Sequence, residues 1–201
     1  QGTTIRLMMG DREKAIAAYE GLIERDSTNR SALNNVAIQY WQKRDLARTE
    51  ERYRRAVAVS APFGGSFVGL TGVQLQQKKF SAAESTVAAF ARTFPSHGDL
   101  PAAKAALLLS RRNFAGGDSV LRSAFPTLRS DASRSITATW LSSVATLRGH
   151  LREGQRWTAQ IIPSEARTAS VNAARLAVML DSAWVQGYYL NDAAAAKASA
   201  L

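Results

Sequence analysis

The chain has 201 residues, with 26 lysines and arginines against 16 aspartates and glutamates, a net charge of +10. Having no cysteine, it can hold neither a disulfide framework nor a thiolate metal site. That fits a cytoplasmic setting, or an extracytoplasmic one if a membrane span lies upstream, and the basic balance favours anionic partner surfaces.

Taken in chain order, apolar and small residues recur at a spacing of 34. Tyr19, Tyr53, Val87 and Leu121 form one column, and Leu22, Ala56, Phe90 and Ala124 a second. Leu46, Phe80 and Phe114 form a third, and the small residues Ala15, Thr49, Ala83 and Gly117 a fourth. A period of this length marks a solenoid, whose units cannot bury their apolar faces alone. Units are expected at about 1–29, 30–62, 64–95 and 98–126, each with an A helix and a B helix. In the second unit Leu33, Val36, Ala37 and Tyr40 make the A stripe. Leu46, Thr49, Tyr53, Ala56 and Val57 make the B stripe, and Pro62 ends it. The third unit repeats this with Phe67, Leu70 and Thr71, then Phe80, Ala83, Val87 and Phe90, closing at Pro95. Ser81 and Glu84 have the spacing of a capping box. The fourth carries Ala105, Leu108 and Leu109, then Phe114, Leu121 and Ala124, closing at Pro126; Pro101 predicts a late start near Ala102.

Beyond Pro126 the phase slips. An A helix is expected at about 131–147 through Ile136, Trp140, Leu141, Val144 and Leu147. A B helix at about 151–162 follows, with Leu151, Trp157 and Ile161, stopping at Pro163. Ser164 would cap a long helix through Val171, Leu176, Met179, Leu180, Trp184 and Tyr188, with a turn at Asn191-Asp192 and a last helix from Ala193. Residues 1–9 and the stretch ending at Leu201 fall inside expected helices, so the chain is expected to be a segment of a longer protein. The uncharged run 56–77 is long enough to span a bilayer, but Pro62, Gly64 and Gly65 make it a helix–turn–helix junction. No secretory signal is visible.

Leu33-x2-Val36-Ala37-x2-Tyr40, then Thr49-x3-Tyr53 and Pro62, resembles the tetratricopeptide pattern W-x2-L-G-x2-Y, A-x3-F, P. A second copy reads Phe67-x2-Leu70-Thr71-x2-Gln74, Ala83-x3-Val87 and Pro95, and Gly10, Ala15, Tyr19 and Leu22 supply an earlier B helix. The resemblance covers roughly 1–126, and 127–201 is similar to degenerate repeats with longer helices. It implies an all-α, right-handed α-solenoid of antiparallel helix pairs. It also implies a scaffold that binds a peptide or partner helix on a concave face lined by A helices. The Arg- and Ala-rich composition is similar to the regulatory tetratricopeptide regions of bacterial signalling proteins.

Chemistry finds little support. His97 and His150, the only imidazoles, sit in separate turns and read as exposed turn residues without metal spacing. Gly64-x4-Gly69 is followed by Leu70 where a phosphate loop needs lysine. Glu50 and Glu51 are adjacent on a helix and point about 100° apart. No enzyme activity, cofactor or metal is therefore expected.

Binding is left. By the resemblance, Asn34, Ile38, Trp41 and Gln42 fall on the concave face, then Val68, Gly72, Leu75 and Gln76, then Ala102, Ala106 and Leu109. Asn35 matches a position where asparagine pairs with a ligand backbone, and Trp41 is either an aromatic anchor or packing between A helices. Gly65 and Gly69 stand where carboxylate-clamping arrays place Lys and Arg. Each A–B turn carries a basic pair: Lys43-Arg44, Lys78-Lys79, Arg111-Arg112, then Arg148 with His150. The family commonly has Gly at the second position of each pair. Stacked turns would form a basic ridge, which suits nucleic acid or another polyanion, or is merely solvated. A plain spacer between other domains is the third reading.

Overall fold

The computed structural model describes residues 12–161. The readings placed on residues 1–11 and on 162–201, including Pro163, the long helix from Ser164 and the helix from Ala193, lie outside the described residues. Within them stand nine α-helices, one 3-10 turn at Phe125–Thr127 and no strand. The helices are α1 (Arg12–Arg25), α2 (Arg30–Gln42), α3 (Leu46–Ala58), α4 (Gly64–Gln76), α5 (Phe80–Thr93), α6 (Leu100–Ser110), α7 (Phe114–Ala124), α8 (Asp131–Leu147) and α9 (Leu151–Thr158). None is long and apolar enough to cross a membrane.

Short turns pair α2 with α3, α4 with α5, α6 with α7 and α8 with α9, and each pair stacks on the next, an all-α solenoid. Consecutive A helices (α2, α4, α6, α8) pack on one another more closely than consecutive B helices do, so the A side is the inner one. The columns explain the stacking. Ala15, Thr49 and Ala83 are buried at 1% exposure or less, and Gly117, also buried, meets Leu109. Tyr19, Tyr53, Val87 and Leu121 are likewise buried. Small residues let α-helices approach, and the large column fills the space between units.

Side-chain caps set several helix starts, accepting from otherwise unpaired amides. Asn29 accepts from the Ala32 amide at 3.0 Å, Asp45 from Arg48 at 3.0 Å, Asn113 from Gly116 at 2.9 Å and Ser130 from Ser133 at 3.0 Å. Asp45, Lys79 and Asn113, again 34 apart, are the N-caps of α3, α5 and α7. The capping box expected at Ser81 is therefore corrected: α5 already begins at Phe80, and Ser81 lies inside it. Glu84 instead pairs with Arg111 at 2.7 Å. α6 starts at Leu100, not Ala102, because Pro101 fits the first turn.

Two further expectations fail. Phe80 is 36% exposed, since the Leu46–Phe80–Phe114 column occupies the first turn of each B helix at the rim of the unit. Ile136 and Leu151 are 41% and 61% exposed. The slip explains Ile136: left-handed turn residues fall at 44, 78 and 112, then at 149, three residues late. The buried face of α8 consequently runs through Ser133, Thr137, Leu141, Val144 and Ala145.

Candidate surfaces for a partner

On α2, Asn34, Asn35 and Trp41 are half-buried, Gln42 is exposed and Ile38 is 37% exposed. Asn34 Oδ1 accepts from Ser66 Oγ of α4 at 2.9 Å, and its amide donates to Asn35 Oδ1 at 3.3 Å, so this pair is fixed in place. Trp41 packs beside Ala37, Tyr53, Leu70 and Val73, its ring edge-on to Tyr53 at 6.1 Å. Gln76 is half-buried. Leu75 is only 4% exposed and clusters with Ala83 and Ala106, so it is a packing residue and offers a partner almost no surface. Ala102, Ala106 and Leu109 are buried in the same way. Among the A-face positions expected from the resemblance, the large accessible side chains are Ile38, Trp41 and Gln42 of α2, with Val68 and Gln76 of α4 half-buried.

The opposite feature is electrostatic. One member of each turn pair reaches back to an acid on the preceding B helix: Lys43 to Glu13 at 2.5 Å, Lys79 to Glu50 at 2.6 Å, Arg111 to Glu84 at 2.7 Å. Arg148 faces Asp118 at 3.9 Å. Glu50, Glu84 and Asp118 are 34 apart, an acidic column that complements the basic turns and stitches unit to unit. Sequence reading overlooked it, although its spacing was visible. Glu50 is the most enclosed of these, its side chain 7% exposed, with Gln77 Nε2 at 2.9 Å and Arg54 at 2.5 Å. Burial alone would raise its pKa, but hydrogen bonds and charge from Lys79, Gln77 and Arg54 outweigh that and hold it below the usual carboxylate range.

Arg44, Lys78 and Arg112 are what the acids leave over. All three are exposed and make no ion pair among the described residues. Each occupies the left-handed region, with φ of 62°, 58° and 59°. That conformation favours glycine, as at Gly149, φ 79°. In the middle turn it is the first residue of the pair, Lys78, that takes it, because the period runs from 44 to 78. The three lie at the C-terminal ends of α2, α4 and α6, where the helix dipole favours cations by about 0.3–1 kcal/mol.

His97 corrects its sequence reading. It is half-buried, its ring against Phe90 at 5.2 Å and Phe94 at 5.8 Å, and Nδ1 accepts from the Asp99 amide at 3.2 Å. Gly64 lacks the Cβ that would strike this ring. The side chain therefore packs the loop after α5 onto α4 and α5. His150 is exposed and faces Glu153 at 3.3 Å. Among the described residues no group of three or more His, Asp or Glu could hold a metal. Glu50 and Glu51 do diverge, Glu51 pairing with Arg52 and Arg55 instead.

No protein-family model matches the chain, and no curated protein matches it. Solved structures do. MamA superposes with a TM-score of 0.54 at 13% identity, over 79% of this chain and 91% of that one. PilF of Pseudomonas aeruginosa gives 0.52 at 15%, over 92% and 90%. BtubC from P. vanneervenii gives 0.52 at 12%, over 94% and 85%. MamA and PilF are tetratricopeptide proteins, and the fold here is that of a tetratricopeptide array. Identities this low establish fold alone.

Proposed function

We propose that this tetratricopeptide-type solenoid is a protein–protein interaction scaffold, part of a larger bacterial signalling or regulatory protein, receiving a peptide or partner helix on its A face. The observation that carries the reading is Ile38. It is an aliphatic side chain 37% exposed on the inner side of α2, in line with the half-buried Asn34, Asn35 and Trp41 and the exposed Gln42. An apolar contact flanked by fixed amides suits an extended backbone or an amphipathic helix. Selection of peptides from a display library, followed by titration against Ile38→Asp, tests it. A drop of tenfold or more with an unchanged circular dichroism spectrum is expected, and unchanged affinity refutes the reading.

A second reading rests on a different observation, the unpaired trio Arg44, Lys78 and Arg112. It assigns the ridge to a polyanion such as nucleic acid, with Lys43, Lys79 and Arg111 held instead by the inter-unit acids. Reversing all three to Glu should abolish polyanion binding and flatten its dependence on salt. An unchanged salt slope leaves only solvated turns.

A further inference from the structure

At the edge opposite the basic turns, the chain leaves a notch of about 1050 Å³ between the start of α6, the end of α7 and the two flanking loops. Its chemistry is one-sided. Lys104 and Arg129 line it, both exposed and neither in an ion pair among the described residues. Ser119 and Ser123 line the same space with their hydroxyls, the Thr127 hydroxyl there being donated to Ala124 O at 2.7 Å, and no carboxylate lines it. Half-buried Val120 supplies most of its aliphatic surface, over a floor formed by Leu100 and Leu128, which are 5% and 9% exposed. The rim is braced on both sides. His97 is wedged against Phe90 and Phe94, and Ser133 Oγ donates to Asp99 Oδ1 at 3.0 Å while Ser130 Oγ donates to Ser133 Oγ, also at 3.0 Å. Asp99 is thereby held at the rim by Ser133. A rigid rim lowers the ordering cost of binding.

We propose that this notch is a second docking site, separate from the A face, for a short anionic polypeptide segment. Lys104 and Arg129 pair with its carboxylates or phosphates, and an aliphatic side chain of the segment packs on Val120. A peptide fits better than nucleic acid, because no Phe, Tyr or Trp lines the notch, and its one aromatic ring, His97, is packed against Phe90 and Phe94. The hydroxyls suit the remaining oxygens of an acidic group or a peptide carbonyl.

The test uses the whole chain and fluorescein-labelled pentapeptides: Glu-Leu-Glu-Leu-Glu, its phosphoserine counterpart and its Gln counterpart, read by anisotropy. Either acidic peptide should bind at least tenfold more tightly than the Gln peptide. A preference between the two acidic peptides tells carboxylate from phosphate as the source of charge. K104E/R129E should reduce that affinity at least tenfold, and K104Q/R129Q should reduce it less. Two controls separate the site from bulk charge and from the A face: R12E/R152E, at two exposed arginines on α1 and α9, removes the same net charge elsewhere, and I38D alters α2. Both should leave affinity within twofold. Absence of binding at millimolar protein, equal binding of the Gln peptide, or equal loss from R12E/R152E would overturn the proposal.

Discussion

Gly69→Ala puts the inter-unit packing to a quantitative test. Alanine in a helix interior is favoured over glycine by about 1 kcal/mol, so propensity alone predicts stabilisation. At Gly69, however, an added Cβ would lie 2.3 Å from Cζ of Tyr53 and 2.6 and 2.7 Å from its Cε atoms. Carbon contacts optimise at about 3.5–4.0 Å, so the shortfall exceeds about 1 Å. Tyr53 is 3% exposed and wedged among Ala37, Leu70 and Val73, so its ring cannot yield freely. Overpacking of this kind costs about 1–3 kcal/mol, so after the propensity gain of about 1 the net loss is about 0–2, with the severe 2.3 Å approach placing it at the upper end. Gly21 is the control, a helical glycine with nothing within 4 Å of a built Cβ. Thermal unfolding followed by circular dichroism should rise for Gly21→Ala and fall for Gly69→Ala, by about 2–4 °C per kcal/mol at this chain length. A rise of similar size in both variants would refute the packing of α3 against α4.

Three other outcomes follow from the same contacts. Ala83→Leu, at a position 0% exposed, should lose about 1–3 kcal/mol in urea unfolding. Asn113→Ala should cost about 1 kcal/mol through loss of its cap, while Ser81→Ala, inside α5, should stay within about 0.5 kcal/mol of wild type. Glu50→Gln should cost about 1–2 kcal/mol, discounted because Lys79 and Arg54 are largely solvated. Since the folded state lowers the pKa of Glu50, its contribution is present above the unfolded-state carboxylate pKa and is lost as pH falls through the folded value. The stability gap between wild type and Glu50→Gln should therefore close in acid, and a gap independent of pH would deny the buried ion pair.

The sequence made the repeat legible because its packing columns reuse one residue class at each register: small at Ala15, Thr49 and Ala83, large and apolar at Tyr19, Tyr53 and Val87. What it concealed depends on where along a helix a residue sits. Phe80 has the right spacing but occupies a first turn at the rim, where about a third of its surface stays exposed. Ser81 and Glu84 satisfy a local pattern that the repeat register overrides, since the turn closes one residue after left-handed Lys78. The three-residue slip before α8 was visible only as lost phase, and its size needed the turn at Gly149. Of the ridge, sequence shows charge but not pairing. Which cation is neutralised depends on an acid 27 to 30 residues upstream on another helix.

Periodicity also separates the residues that build this solenoid from those that would distinguish one partner from another. A packing position must solve the same steric problem in every unit, so its column stays uniform. The inner-face column breaks that rule: Ile38, Gly72 and Ala106, then, after the three-residue slip, Ser143. The first is 37% exposed, whereas Ala106 and Ser143 are 5% and 1% exposed. A partner contacting every unit alike would favour like side chains repeated along that face. In this column the large accessible residue stands on α2, with Asn34 and Asn35 held beside it by the bond to Ser66, and under the proposed scaffold reading recognition centres there. On this reading the later A helices chiefly set the spacing and curvature that present α2, and substitutions at Gly72 or Ala106 act through packing, whereas those at Ile38 act on the partner directly.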